Sequence, residues 1–209
     1  MATLSGLHAK TGQNLQLDAG LLLWGINTSQ DLATLAAGPQ GHENAEKFSQ
    51  LITSKTLGAT KGGTTFTAVP EMRNLLDGVN GSRGNYKDGA VIDTWEISLK
   101  TTVSEMTAAN IGYAIANSES PKSESGFDKQ TGTVGRVKKT NYLGNVAWLG
   151  TIKGKTAPII ILIKNALNVN GMTFTAEDKN TGSIELELKA HFELSKPEEV
   201  PFEIYTPKA

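Results

Sequence analysis

The clearest hydrophobic pattern in the chain is an alternation with a period of two residues, which is typical of β-strands. It runs through residues 64–77 and again through 90–103, with a glycine-rich stretch between them. The pattern predicts a long β-hairpin whose connection, residues 78–89, is too long for a two-residue turn. Pro70 predicts an edge position or a β-bulge in the first strand, because proline cannot donate a ladder hydrogen bond.

Two of the predicted strands are apolar on one face and polar on the other. In the strand over 90–103 the apolar face consists of Val91, Trp95, Ile97, Leu99 and Val103. In the strand over 184–194 the apolar residues alternate with Glu185, Glu187, Lys189, His191 and Glu193. This pattern predicts a sheet that covers a core with one face and meets water, or a water-filled lumen, with the other.

Shorter apolar runs predict further strands at 20–26, 146–149, 158–163 and 172–176. The run at 158–163 has no polar face, so we expect both of its sides to be buried. Thr107 is placed to cap a short helix that packs on a sheet.

Three segments do not follow the strand pattern. Residues 27–56 predict two short helices separated by Gly38-Pro39, and we interpret this segment as an insertion on the outside of the fold. Residues 1–19 predict an extended arm, either a frayed terminus or a segment that orders against a partner subunit. Residues 196–209 contain three prolines and predict a tail that runs along the surface.

Together these elements predict a mainly β, α+β chain. Apolar residues make up 38% of the 209 residues, which is enough for one sizeable core. We therefore expect a single domain over residues 1–209, with a β-sandwich or barrel-like fold. A flanking α-helix, an extended N-terminal arm and a long hairpin loop complete the expected architecture.

The composition argues against several classes of function. The net charge of −1, from 20 basic and 21 acidic residues, provides no overall basic field for tight binding of nucleic acid. The absence of cysteine excludes disulfides and thiolate metal sites. No signal-peptide pattern and no membrane-spanning apolar run is visible, so we expect a soluble protein made in the cytoplasm.

The sequence offers no constellation of residues that is typical of catalysis or metal binding. No metal-ligand spacing is found among the histidines, which are His8, His42 and His191. The one basic cluster is either a phosphate contact or an ordinary solvated or inter-subunit charge patch, and it consists of Arg136, Lys138 and Lys139. We therefore expect a protein that is not an enzyme and that needs no cofactor.

Several short motifs occur in an order that resembles one known family. They are Leu57-Gly58-Ala59-Thr60-Lys61-Gly62-Gly63-Thr64-Thr65-Phe66, Pro70-Glu71-Met72-Arg73, Asp77-Gly78 and Thr94-Trp95-Glu96-Ile97-Ser98-Leu99, followed by the short helix. In this order they resemble the N-terminal half of the major tail tube proteins (major tail proteins) of long-tailed bacteriophages that infect Gram-positive hosts. The resemblance covers roughly residues 15–200, and the segment 27–56 is longer than this family leads us to expect.

The resemblance implies a structural protein of the virion. Tail tube proteins have a β-sandwich or barrel-like core with a flanking helix, and they assemble as hexameric rings that stack into a hollow tube. DNA leaves the capsid through that tube without being bound specifically. The implied partners are further copies of the chain, the tape measure protein, the tail terminator and the distal tail proteins. The implied location is the virion tail, after synthesis in the cytoplasm of the host bacterium.

The resemblance also gives candidate residues. Because positive charge in a lumen would bind phosphate, a neutral or acidic lining is expected, and the candidates for it are Glu185, Glu187, Glu193 and Glu96. The alternative is that these carboxylates face bulk solvent. Ring-to-ring contacts are expected from the arm before Gly20, the loop 78–89 and the tail after Lys196. Within the loop the candidates are Gly81, Arg83, Tyr86, Lys87 and Asp88.

Two alternatives remain open at the level of sequence. The same subunit would build the tube of a phage-derived bacteriocin or another tail-like particle. From a different class of function, a monomeric β-sandwich binding module would share the strand pattern, although it would be expected to carry an export signal.

Overall fold

The computed structural model describes residues 11–82, 84–119, 121–176 and 178–208. Its strands are β1 (Leu21–Trp24), β2 (Thr60–Asn74), β3 (Ala90–Val103), β4 (Lys122–Glu124), β5 (Phe127–Lys129), β6 (Val146–Gly150), β7 (Ile159–Ile163), β8 (Leu167–Asn168), β9 (Thr173–Thr175), β10 (Ser183–Lys189) and β11 (Phe202–Tyr205). Its α-helices are α1 (Asp31–Ala37), α2 (His42–Lys55) and α3 (Ala108–Ala114). The predicted mainly β, α+β class is confirmed.

The strands form two larger antiparallel sheets and one isolated hairpin. The first sheet has the order β1-β6-β7-β11. The second has the order β2-β3-β10-β8, with β9 also paired to β10, so it contains five strands. Strands β4 and β5 pair only with each other. Each pairing joins antiparallel strands, so the chain reverses direction at every neighbouring strand.

The inner faces of the two larger sheets share one hydrophobic core. The first sheet contributes Leu22, Val146 and Ile163, and the second contributes Ile97, Leu99, Val103, Ile184, Leu186 and Leu188. Helix α3 adds Ala114, with Ile111 and Tyr113 partly buried against the same core. The result is a β-sandwich with a flanking helix.

Helices α1 and α2 cover the opposite face of the four-stranded sheet. Leu35 of α1 is fully buried in a second apolar cluster with Ile160 and Leu162 of β7, and Phe48 and Ile52 of α2 pack against it. Strand β7 is therefore buried on both faces, as its apolar sequence predicts. The two predicted helices are present, but the segment is more than an external insertion, because it forms a third layer that closes a second core.

The β2–β3 hairpin is longer than the sandwich that supports it. Strand β10 pairs with β3 only from Ser98 to Val103, whereas β2 pairs with β3 along its whole length. Residues 69–74 and 90–96 therefore form a two-stranded extension, which we call the ribbon. No third strand within the described part of the chain pairs with the ribbon.

A β-bulge changes the alternation inside the ribbon. Glu71 pairs with Thr94 and Met72 pairs with Ile92, so Asp93 has no opposite residue. The position of Pro70, on an edge strand beside this bulge, agrees with the prediction for it. The assignment of Val91 to the face of Trp95 is wrong, because the extra residue moves Ile92 onto that face and Val91 onto the other.

The C-terminal segment does not run along the surface as predicted. Residues 202–205 form β11, which pairs with β7 and completes the four-stranded sheet. Phe202 contacts both Phe66 and Trp95, with ring centroids 5.8 Å and 5.6 Å apart, respectively. The segment is therefore part of the sandwich. Burial of the Phe202 ring against two aromatic side chains stabilises this position more than the flanking prolines favour an extended surface segment.

Part of the N-terminal arm lies along the first sheet, and residues 1–10 are outside the described part. The backbone N–H of Leu17 donates to the carbonyl of Thr151 at 3.1 Å, and that of Lys153 donates to Leu15 at 3.0 Å. The indole N–H of Trp148 donates to the carbonyl of Ala19 at 2.9 Å. These bonds fix the described part of the arm to β6 and to the segment after it.

Two buried asparagines fix α3 in place, one to the segment before β2 and one to the second sheet. Asn110 donates to the carbonyl of Leu57 at 2.9 Å, and Thr107 caps the helix as predicted by accepting from the backbone N–H of Asn110. Asn168 donates to the carbonyl of Ala114, the last residue of α3, at 2.7 Å. Its oxygen accepts from the backbone N–H of Glu187 at 2.9 Å, so one amide joins the helix end to β10.

Candidate functional site

The outward face of the five-stranded sheet brings together three of the four lumen-lining candidates. Glu96 lies on β3, and Glu185 and Glu187 lie on β10, whose register places Glu187 opposite Lys100. We call this surface the polar face, and its members are Lys61, Thr65, Glu96, Ser98, Lys100, Thr102, Glu185, Glu187 and Lys189. The strict alternation of β10 produces this arrangement, because its intervening residues all point into the core.

Ion pairs balance much of the charge on the polar face. Lys189 lies 2.6 Å from a carboxylate oxygen of Glu96, and Lys100 lies 3.2 Å from one of Glu187. The hydrogen bond from Lys189 lowers the pKa of Glu96, and the same bond raises the pKa of Lys189. Because Glu96 and Lys189 are both exposed to water, their pair adds little to the free energy of folding. Its main effect is to balance charge along the face.

Glu193, the fourth lumen-lining candidate, lies apart from the polar face. Strand β10 ends at Lys189, and the predicted continuation to residue 194 is wrong. The backbone N–H of His191 donates to Lys164 at 3.1 Å, which turns the chain away from the sheet. Glu193 then accepts from the backbone N–H of Lys196 in a turn.

The loop from 78 to 89 carries the predicted contact residues at the far end of the ribbon. Gly81, Tyr86, Lys87 and Asp88 are exposed, and Arg83 lies outside the described residues. The backbone N–H of Leu75 donates to Gly89 at 2.8 Å, which closes the loop where the ribbon ends. The loop therefore projects from the sandwich as an outlying unit with an exposed surface.

The ribbon also exposes apolar side chains that the sequence pattern assigned to a core. Met72 and Ile92 form a cross-strand pair, yet they are 63% and 48% exposed. Leu75 and Val79, between the ribbon and the loop, are exposed as well. Periodicity identified the apolar face of Met72, but it could not show that the ribbon extends past the sheet that would cover it.

Both edges of the five-stranded sheet lack a partner strand in the described part of the chain. One edge is β2, which is 15 residues long, and the other is formed by β8 and β9. An open edge presents unpaired backbone donors and acceptors, and pairing with another chain is the usual way to satisfy them. An antiparallel sheet with two open edges and one solvated face can extend from copy to copy.

Comparison with protein-family models and with curated proteins finds no match for this chain. A function is therefore inferred from the sheet edges, the polar face and the ribbon. Within the described residues, no group of three or more acidic or histidine side chains is placed to hold a metal ion. None of the helices described there has the length and apolar character that crossing a membrane requires.

The basic cluster borders an open groove of about 910 Å³ beside Tyr142 and Phe192. Among the described residues, none of its three cations forms an ion pair, and these cations are Arg136, Lys138 and Lys139. The groove lies away from the polar face, so these cations do not add positive charge to the candidate lumen surface.

The C-terminal strand is held by a charged cluster around Lys164. Its ammonium group lies 2.6 Å from a carboxylate oxygen of Glu203 and also binds Glu199. Partial burial acts to raise the pKa of Glu203, but hydrogen bonds from Lys164 and Tyr205 outweigh it, so the pKa is lowered. Burial and then the bond to Glu203 raise the pKa of Tyr205 to about 12. The cluster ties β11 to β7.

Acidification is expected to weaken this cluster. Since Glu199 and Glu203 have lowered pKa values in the folded chain, their contribution to stability is complete above about pH 4.5 and is lost as the pH falls through the lowered values. The unfolding free energy, measured by urea denaturation, should therefore fall less steeply with decreasing pH in a Lys164→Met variant than in wild type. Lys196→Met is the control, because that exposed side chain pairs with Glu199 and with no other acidic residue in the described part of the chain. Equal slopes for wild type and Lys164→Met would contradict the assignment.

Proposed function

We propose that this chain is the subunit of a phage-type tail tube, in which rings of identical copies stack into a hollow conduit for DNA. The observation that carries the proposal is the five-stranded sheet, which has an apolar face on the core, a charge-balanced polar face toward water and two open edges. In a ring, the β2 edge of one copy pairs with the β8/β9 edge of the next. Ring closure then covers both edges where they overlap, along the sandwich part of the sheet.

The dimensions of such a ring suit double-stranded DNA. The path β2-β3-β10-β8 gives four neighbouring strands in each copy. Six copies would provide about 24 strands at about 4.8 Å spacing, hence a circumference of about 115 Å and a diameter of about 37 Å before strand tilt widens the barrel. A hydrated duplex fits within that diameter.

The charge of the polar face suits passage of DNA without retention. In the proposed ring, Glu96, Glu185 and Glu187 line the lumen, and each of the two formed ion pairs holds a lysine against a carboxylate. Lys61 bonds Asn180 instead of a carboxylate, but the face as a whole carries three lysines against three glutamates. A surface with no net positive charge releases few counterions from DNA and binds it weakly. The sheet therefore acts as a wall and not as a binding site.

Stacking of rings is assigned to exposed segments at the surface of the sandwich. The loop with Gly81, Tyr86, Lys87 and Asp88 extends beyond the ribbon, and residues 13–19 of the arm lie along the first sheet with most of their side chains exposed. Strand β11 is excluded from this role, because it is already part of the core. The proposed partners are further copies of the chain, together with a tape measure protein, a tail terminator and distal tail proteins, in the virion tail.

Negative-stain electron microscopy of the purified chain over a concentration series tests the proposal. Hollow filaments with a regular axial repeat, or free six-membered rings, are expected at high concentration, with matching species in size-exclusion chromatography. Val69→Lys is the control, and it should assemble less than wild type. Val69 is exposed on the open β2 edge, and an added charge there disfavours edge pairing. A monomer at every concentration would instead favour a monomeric binding module.

A further inference from the structure

The five-stranded sheet carries an exposed apolar patch at each of its two ends. The first, the ribbon patch, consists of Met72, Leu75, Val79 and Ile92. The second, which we call the end patch, consists of Met106 and Phe174, and the ring of Phe174 is 53% exposed. Large apolar side chains grouped on the surface in this way are typical of contact sites.

The two side chains of the end patch are neighbours. Gly182 lies between them, since a Cβ atom placed there would be 2.9 Å from the Phe174 ring and 3.5 Å from the terminal methyl of Met106. Phe174 also pairs across strands with Ile184 of the core. The end patch is therefore a continuation of the core face beyond the edge of the sandwich.

Met72 and Ile92 of the ribbon patch lie on that same face of the sheet, at the opposite end. Met72 follows Pro70 by two residues, and Pro70 pairs with Trp95, which packs against the core. Ile184 pairs with Val103, and the stretch from Ile92 to Val103 spans about 36 Å of extended strand. One copy cannot bring its own two patches together across this distance, so a contact between them requires two copies.

We infer that the ribbon patch of one copy docks on the end patch of the next copy along the tube. This inference rests on the proposed function and names the receiving surface for the ribbon. A patch that meets a different patch makes a head-to-tail contact, which propagates from ring to ring without limit. Docking would cover apolar surface at both ends of the sheet, which a free subunit leaves exposed to water.

Charged side chains of both signs follow each patch in the sequence. Lys87 and Asp88 lie in the loop next to the ribbon patch, and Asp178 and Lys179 follow Phe174 of the end patch. A head-to-tail contact can therefore pair opposite charges at its rim, where they favour registration.

Cysteine cross-linking in the full chain tests this contact, because the chain has no cysteine of its own. A Met72→Cys chain is mixed with a Phe174→Cys chain and treated with a short bismaleimide. A mixed dimer is the expected product. The control replaces the second chain with Phe127→Cys, which is 77% exposed on the separate β4–β5 hairpin. Equal yields from the two mixtures would overturn the inference.

A second measurement uses the concentration at which tubes form. Phe174→Asp is expected to raise it by about tenfold or more, as loss of a central aromatic contact residue does, while Phe174→Tyr keeps it near that of wild type. Circular dichroism and urea unfolding show whether each variant is folded. An unchanged concentration for folded Phe174→Asp would also overturn the inference.

The two proposals fail in different ways. Wild-type tubes without a cross-link between the Met72→Cys and Phe174→Cys chains would refute the docking surface and leave the tube function standing. A cross-link between copies that form no hollow tube would support the head-to-tail contact and refute the tube. Absence of both tubes and cross-link would refute both.

Discussion

Deletion of residues 81–88 is expected to leave a folded subunit that no longer forms tubes. The removed residues contribute no side chain to either apolar cluster, and Ser82 is the only partly buried one among those that the structure describes. The bond between Leu75 and Gly89, which closes the loop, lies outside the deletion. Shortening a loop by eight residues lowers its closure entropy cost, so the unfolding free energy should stay within about 1 kcal/mol of wild type.

Loss of assembly is expected because the loop is the most distant part of the ribbon. It carries Tyr86, Lys87 and Asp88, which are exposed and belong to neither apolar cluster, so an adjacent ring can reach them. The measurement is electron microscopy of the variant beside wild type, with unfolding curves for both. In a third chain, residues 81–88 are replaced by glycine and serine at unchanged length. This chain distinguishes a requirement for these side chains from a requirement for the length of the loop. Normal tubes from the deleted chain would refute the assignment.

Sequence periodicity predicted the parts of the fold that local pattern determines. The alternation over 90–103 gave β3 with its observed bounds, and Thr107 was identified as the helix cap. Both features depend on residues within a few positions of each other, so a single sequence contains the necessary information. For the same reason Glu96 could be assigned to the polar side of its strand, and Glu185 and Glu187 to that of theirs, whereas the pairing of β3 with β10 brings the three together.

The features that the sequence did not reveal depend on distant contacts. Strand β8 has two residues and no hydrophobic period, and it exists because β10 and α3 surround Asn168. Strand β11 was hidden by the prolines around it, although the alternation in Phe202-Glu203-Ile204-Tyr205 was a usable signal. The bulge at Asp93 reversed the predicted faces of Ile92 and Val91, because a single inserted residue moves the side chains beyond it to the opposite face of the strand.

In the candidate contact surfaces, too, some features follow from local sequence and others depend on distant contacts. Exposed loop residues such as Lys87 follow from glycine-rich composition, but the exposure of Met72 and Phe174 depends on where the sandwich ends. For Met72 that end is set by the length of β10 relative to β3, which is a property of the sheet and not of either strand. Apolar residues at such positions therefore look like core residues in a sequence.

Replacement of Asn168 by alanine is expected to be among the most destabilising single changes in this chain. The side chain is fully buried, and its amide donates to the carbonyls of Ala114 and Gly171 at 2.7 Å and 2.8 Å while it accepts from the N–H of Glu187. Removal leaves three backbone groups without partners. The buried Ala114 carbonyl costs about 1–3 kcal/mol, and the two partly buried groups of Gly171 and Glu187 add smaller amounts. We expect a loss of about 3 kcal/mol or more, a large fraction of the stability of a typical domain.

Asn170 provides a matched control two residues away. Its amide donates to the Glu187 carboxylate at 2.5 Å, but the residue is exposed, so Asn170→Ala should change the unfolding free energy by only about 0.5 kcal/mol. Asn168→Asp separates hydrogen bonding from volume, because it keeps the shape and the acceptor but directs a carboxylate at two carbonyl oxygens.

Urea unfolding ranks the variants by stability, and hydrogen exchange shows which part of the fold loses protection. Protection should fall first at the end of α3 and along β10, because the Asn168 amide joins the Ala114 carbonyl to the Glu187 N–H. A loss spread evenly over both sheets would show that the asparagine supports the whole core instead of this one junction.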